Sequence, residues 1–269
     1  MTPAVIVTTY NRPDALAAVL EGYLAQTGAT FELIVADDGS TADTGEVAAR
    51  YAARAPFPLR HVWQEDRGFR AAAARNRALA ATQAEYIIFT DGDCIPRRDF
   101  VARHCALAER GCFLVGNRVL LSADLTRRAL TDHLPLHDWG TVHWLAARCT
   151  GGINRWLPLL TLGDGAWRHR APQRWEGAKT CNLSAWRADL MRVNGLDESY
   201  SGWGLEDSDL VIRLLHAGIR HKNARYAAPV LHLWHRENDR SLLPENRRRL
   251  EEILASSRIE ARLGLNQYS

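Results

Sequence analysis

Short apolar runs alternate with amphipathic stretches over the first 120 residues. Ala4–Thr9 (AVIVTT) and Phe31–Ala36 (FELIVA) are β-branched and apolar throughout, the mark of strands buried on both faces. Leu59–Trp63 and Glu85–Phe89 read as two more strands. Between them the pattern predicts helices from Pro13 to about Gln26, after Ser40 to about Arg54, and over Gly68–Ala81. Strand–helix alternation of this kind predicts a mostly parallel sheet with helices on both faces. Residues 121–176 break the pattern: Trp139, Trp144, Trp156, Trp167 and Trp175 fall there without a clean period, as in an irregular insert. Regularity returns with a strand near Cys181–Trp186, a helix near Arg187–Asn194, a helix from about Leu205 to Ala217 and a strand from Val230 to about Trp234. A last amphipathic helix is expected over 241–262, with Leu242, Leu243, Leu250, Ile253 and Leu254 as its apolar stripe. The organisation expected is residues 1–120 as one half of a domain, 121–240 as its second half, and 241–269 as a helical tail.

Ligands of such sheets sit beyond the carboxyl ends of the strands. Three strand ends carry polar residues, Thr8–Asn11, Asp37–Ser40 and Asp91–Asp93, and are expected to meet at one cleft. Composition adds little to this picture. With 46% hydrophobic and 24% charged residues the chain of 269 is globular, and a formal charge of +3 argues for neither nucleic acid nor an anionic membrane. No apolar run reaches the ~18–20 residues of a membrane span, and the start of the chain has no signal-peptide pattern. The five cysteines lack CxxC spacing and read as reduced thiols of a cytoplasmic protein.

Asp91-Gly92-Asp93 sets two carboxylates just past a buried strand, suited to a hard divalent cation between protein and phosphate, or merely an acidic turn. Gly92 would let a phosphate or ribose approach. Asp37-Asp38 is a similar pair, of which an Asx-turn accounts for at least one. His232 and His235 flank a strand end, as further cation ligands or as structural histidines. Arg75 and Asn76 are phosphate-contact candidates on the helix after Gly68, whereas Arg77 reads as a solvated face. Gly202-Trp203-Gly204-Leu205-Glu206-Asp207-Ser208-Asp209 opens a helix with three carboxylates. Macrodipole stabilisation explains the acids but not the preceding Gly-Trp-Gly, where Trp203 offers a flat face for a sugar ring and Gly204 allows close approach. Asn182 is a further candidate for bonding sugar hydroxyls.

The ordered motifs VIVTTYNRP, ADDGS, GFRAAAARNRAL and FTDGDC resemble the N-terminal half of family 2 glycosyltransferases, which have the GT-A fold. NLSAWRADLMRVNGLDESY with GWGLEDSDL is similar to the second half of bacterial members. It also resembles the acceptor-side motif of β-1,4-galactosyltransferases and polypeptide N-acetylgalactosaminyltransferases. The resemblance covers residues 3–238. It implies that Thr8, Tyr10, Asp38, Arg75 and Asp91 contact the nucleotide, Asp38 through the uracil N3–H. It implies that Asp93, His235 and His232 bind Mn2+ or Mg2+. It implies that Asp207 is the base with Glu206 as its acceptor-contacting neighbour; residue type alone does not order those two. A further acid common in the family is replaced here by Ser208.

The implied activity is inverting, metal-dependent transfer of Gal, GalNAc, Glc or GlcNAc from a UDP-sugar to a hydroxyl of a bacterial glycan. A lipid-linked or lipopolysaccharide-core acceptor at the membrane face is an alternative, with Trp156–Leu162 and the tail from Arg247 as peripheral contacts. A catalytically dead sugar-nucleotide-binding protein is another. Nucleic acid is not expected as a partner.

Overall fold

The computed structural model describes residues 1–236 and 239–268. Glu237 and Asn238, the last positions of the resemblance, and Ser269 lie outside the described residues. The elements in chain order are β1 (Ala4–Thr9), α1 (Pro13–Leu24), β2 (Glu32–Asp37), α2 (Ala42–Ala52), β3 (Leu59–Trp63), α3 (Ala71–Ala80), β4 (Tyr86–Asp91), β5 (Cys94–Pro96), α4 (Phe100–Leu107), β6 (Cys112–Val115) and β7 (Arg118–Leu120). The second half adds α5 (Ala123–Thr131), α6 (Thr141–Cys149), β8 (Asn182–Trp186), α7 (Arg187–Arg192), α8 (Glu206–His216), β9 (Arg220–Asn223), β10 (Val230–His232) and α9 (Leu243–Leu254).

Seven strands form the main sheet in the order β3-β2-β1-β4-β8-β6-β9. Only β8 runs against its neighbours; every other pairing in this sheet is parallel. Side chains alternate across the sheet with period two. Val5, Val7, Tyr86 and Ile88 join a core with α1 and α2, while Ala4, Ile6, Ile87 and Phe89 join a second core with α3, α7 and α8. The doubly apolar runs in the sequence follow from this two-sided burial. A small second sheet, β5-β10-β7, stands beside the main one.

Topology decides which residues meet. The six parallel strands end at one edge, and β8 begins there because the chain returns to it from the 121–176 insert. The carboxyl ends of β1, β2 and β4 therefore share an edge with those of β6 and β9 and with the residues leading into β8. The insert contains α5, α6 and short 3-10 turns at Leu157–Leu159 and Ala166–His169.

The tail differs from its expectation. Its helix stops at Leu254, and of the expected stripe Leu250 and Ile253 are buried while Leu242 and Leu254 stay exposed. Leu250 and Ile253 pack on Ile212 of α8. Among the described residues no helix is long and apolar enough to cross a membrane, and all five cysteines are free.

Candidate active site

The three polar strand ends do meet. Asp38 N donates to Thr9 O (3.0 Å), Gly92 N to Thr8 O (2.7 Å) and Asn11 N to Ser40 Oγ (2.8 Å). Asp37 takes the Asx-turn role, accepting from Ser40 N (2.8 Å), and its other oxygen lies 2.8 Å from His61 Nε2. Asp38 is buried and points the other way. Its oxygens accept from Gln64 Nε2 (2.6 Å) and from Arg70 N (2.7 Å). Burial raises its pKa, against the opposing pull of those two donors.

Arg75 joins the donor-side strands to the acidic helix. Its Nε donates to Thr8 Oγ1 (3.0 Å), its Nη2 to Asp91 Oδ1 (2.9 Å) and its Nη1 to Glu206 Oε1 (3.2 Å). Asp207 Oδ1 is 3.9 Å from Nη1. Burial opposes the charge on Arg75, but Asp91, Asp207 and Glu206 outweigh it and push the guanidinium pKa up. Burial, with Asp207 adding to it, pushes Glu206 up to about 7, although Arg75 opposes. Burial likewise pushes Asp91 up to about 6, with Arg75 opposing and Asp93 adding. Oε2 of Glu206 is buried without a hydrogen-bond partner among the described residues.

The acidic turn is built by strain and by a distant helix. Leu205 sits at φ +79°, a left-handed conformation costly for a branched side chain, and the next residue starts α8. Asn246 of α9 donates from Nδ2 to both Ser201 O and Gly204 O (3.0 Å each), fixing the Gly-Trp-Gly loop. Thr180, just before β8, donates its hydroxyl to Asp207 Oδ1 (2.5 Å). Asp209, third acid of the run, is fully buried and paired with Arg213 (2.6 Å), which also bonds two backbone carbonyls. That acid belongs to the scaffold.

Asp93, His232 and His235 converge as a third group, their ligand atoms all within 4.8 Å of one another. Nε2 of His235 and of His232 lie 3.4 and 3.7 Å from Asp93 Oδ2, long for N–H···O bonds. Nδ1 of His235 faces Arg236 O at 2.6 Å, and a carbonyl can only accept. In the neutral ring Nδ1 thus carries the hydrogen, and the Nε2 lone pair faces a carboxylate. Burial holds the pKa of His232 below its usual value, Asp93 opposing. Two imidazole lone pairs around a carboxylate fit a shared divalent cation of the Mn2+ type.

Several residues land elsewhere than their sequence suggests. The Asn182 amide is spent on the protein itself: it is buried, donates to Asn117 O (2.9 Å) and Ala228 O (2.7 Å), and its Oδ1 faces His104 Nε2 at 3.1 Å. Asn76 clamps Leu196 by both its backbone groups and so is scaffold as well. Gly92 answers a packing need, since a Cβ there would meet Thr9 Cβ at 2.9 Å. Tyr10 is exposed and donates to Asp66 Oδ2 (2.9 Å). Trp203 lies beside Lys179 and Arg240, whose charged groups are 5.9 and 4.8 Å from its ring centre. Gln64, Thr180 and Asn246 carry no local signal in the sequence; each acts on a residue at least 26 positions away.

Known proteins resemble this chain in sequence and in fold. Residues 4–166 match the family model described as glycosyl transferase family 2, and residues 166–236 match one described as the N-terminal domain of galactosyltransferase. Validoxylamine A glucosyltransferase of Streptomyces hygroscopicus subsp. jinggangensis is 31% identical over 235 residues, covering 80% of this chain and 52% of the relative. Hyaluronan synthase of Pasteurella multocida is 30% identical over 233 residues, covering 80% and 23%. The chain thus spans about half the length, or less, of these curated relatives. Among solved structures, S. aureus TarS in complex with UDP superposes with a TM-score of 0.63 at 15% identity, over all of this chain and 68% of that one. Mannosyltransferase PcManGT from Pyrobaculum calidifontis, in complex with GDP-Man and Mn2+, does so at 0.61 and 20%, over 87% and 57%. The fold is that of the GT-A glycosyltransferases, and the chain belongs to glycosyl transferase family 2.

Proposed function

We propose that the protein is an inverting, divalent-metal-dependent glycosyltransferase that moves Gal, GalNAc, Glc or GlcNAc from a UDP-sugar to a hydroxyl of a bacterial glycan. The observation that carries this reading is Arg75, a buried cation tying the ends of β1 and β4 to Glu206 and Asp207. Donor-side and acceptor-side chemistry are thereby held at one place. Neighbours of the same fold were solved with UDP, with UDP-GlcNAc and with GDP-Man plus Mn2+, which supports a nucleotide-sugar donor.

Each residue has a role that its surroundings suit. Asp38 has lone pairs left after accepting from Gln64 and Arg70, enough to accept the uracil N3–H. Thr8 and Tyr10 border the nucleotide. Asp91, already bonded to Arg75, keeps its side chain 30% exposed toward ribose or phosphate. Asp93, His232 and His235 would hold Mn2+ or Mg2+, which when bound supplies charge neutralisation at the departing diphosphate. Asp207 is the base. Thr180 fixes one of its oxygens, and the Arg75 guanidinium lies 3.9 Å from that same oxygen. It takes the acceptor hydroxyl proton as that oxygen attacks the anomeric carbon opposite the leaving group. Glu206, more buried, orders Arg75 and the acceptor side. Trp203 stacks on the acceptor ring and Gly204 keeps its approach open. The free cysteines suit a reducing, cytoplasmic setting.

The test is UDP release over a panel of UDP-sugars and glycan acceptors with Mn2+, Mg2+ or EDTA. Acceptor-dependent release should need the cation. Asp207→Asn should lower it by about 10²–10⁴-fold while leaving UDP affinity within about twofold. Near-normal turnover by that variant would remove Asp207 as the base.

A further inference from the structure

The second half of the sheet edge holds a cleft beside the groups already described. It has a volume of about 430 Å³, within the range of small-molecule sites. Four cations line it: Arg118 just beyond β6, Arg225 just beyond β9, Lys179 just before β8, and Arg155 from the insert. None of the four forms an ion pair with a carboxylate among the described residues, in a chain with 31 acids for 34 lysines and arginines. Arg155 spends Nη2 on a long contact to Arg118 O (3.5 Å), and Lys179 lies over the Trp203 ring. Burial and the like charges of Arg174 and Arg155 hold the Arg225 guanidinium below its usual range. Asn117 Oδ1, also on this lining, is buried with no hydrogen-bond partner among the described residues, and can accept from a ligand hydroxyl. Like charges gathered in a cleft repel one another, and an anion relieves that cost.

Position assigns the anion to the acceptor. Lys179 is adjacent in sequence to Thr180, which holds Asp207, and lies against Trp203. Lys179 thus links the cleft to the base and the stacking ring, while Cys181 and Arg118 of its lining border Asp91 and His232 on the other side. We infer that the acceptor is acidic, carrying a carboxylate or a phosphate that these four cations receive while its hydroxyl faces Asp207. This rests on the transferase reading above.

The experiment titrates two probe pairs into the full chain with saturating UDP and Mn2+: 4-nitrophenyl glucuronide against 4-nitrophenyl glucoside, and glucose 6-phosphate against glucose. In at least one pair the acidic member should bind about tenfold tighter, with the preference shrinking as salt rises. The pair that discriminates says whether carboxylate or phosphate is preferred. The double variant Arg155→Gln, Arg225→Gln should lose that preference and keep its UDP affinity, which also reports that it folds; Lys179→Gln should lose part of it. Equal binding within both pairs, no binding of either acidic probe, or a preference that survives the double variant would overturn the inference. Binding of the acidic probe to the UDP-free chain that disappears once UDP is saturating would overturn it too, by giving the cations to the donor. UDP binding by the unmodified chain is measured separately. Its loss would strike the transferase reading itself.

Discussion

The two halves of one sheet edge handle positive charge in opposite ways. At the ends of β1 and β4 a single arginine, Arg75, is almost fully buried and meets three carboxylates and a hydroxyl. At the ends of β6 and β9 four cations crowd one cleft without a carboxylate in ion-pair reach among the described residues. A buried cation costs several kcal/mol unless its partners are preset, so Arg75 serves geometry: it holds other groups in place. Cations that keep contact with solvent need no preset partner and remain free to meet a ligand's charge. The same residue type is a strut in one half and a receiver in the other.

The contrast breaks most visibly at Arg75. Arg75→Gln leaves Asp91, Glu206 and Asp207 facing one another, and should cost about 3–5 kcal/mol in urea unfolding and abolish UDP release. An active, equally stable variant would mean that the arginine is no strut. Next, Asp93→Ala should lower UDP affinity in Mn2+ by about tenfold or more, to the value the unmodified chain shows in EDTA. If Mn2+ still strengthened UDP binding to that variant, the Asp93 group would not be the cation site.

Glu206 sharpens the comparison through pH. An unfolded glutamic acid titrates near 4.5, and in the folded chain this one titrates near 7. Between those values the folded state keeps a proton that the unfolded state has lost. The group therefore costs the folded state least below pH 4.5, and the cost grows as pH rises to about 7. Metal-free protein should lose stability from pH 5 to pH 8, and Glu206→Gln should remove roughly 1–3 kcal/mol of that loss in urea titrations. Asp91 acts in the same direction and keeps its share in the variant. The smallest effect belongs to the other half. Arg155→Gln, at an exposed residue that approaches Arg118 O at 3.5 Å, should change stability by less than about 0.5 kcal/mol.

Legibility followed how local the cause was. β1, β2 and β4 show in the sequence because burial on both faces leaves a continuous apolar run, and their polar ends then predict the first cleft. β5 and β7 have three residues each and exist only through pairing with β10. Asn76 and Asn182 look like binding residues because an amide has the same letter whether it meets a sugar or a backbone carbonyl. Gly92 misleads similarly: a missing Cβ makes room for a neighbour, and here the neighbour is Thr9.

By itself the sequence determined the alternating strands and helices, the order of the motifs and the kinds of chemistry they carry, because these depend on residue type and short-range periodicity. Only the tertiary structure decided the reversal of β8, the grip of Thr180 on Asp207 and of Asn246 on the Gly-Trp-Gly loop, and the gathering of Arg118, Arg155, Lys179 and Arg225. Those depend on contacts between residues far apart in the chain, and such contacts follow from how the chain crosses the sheet.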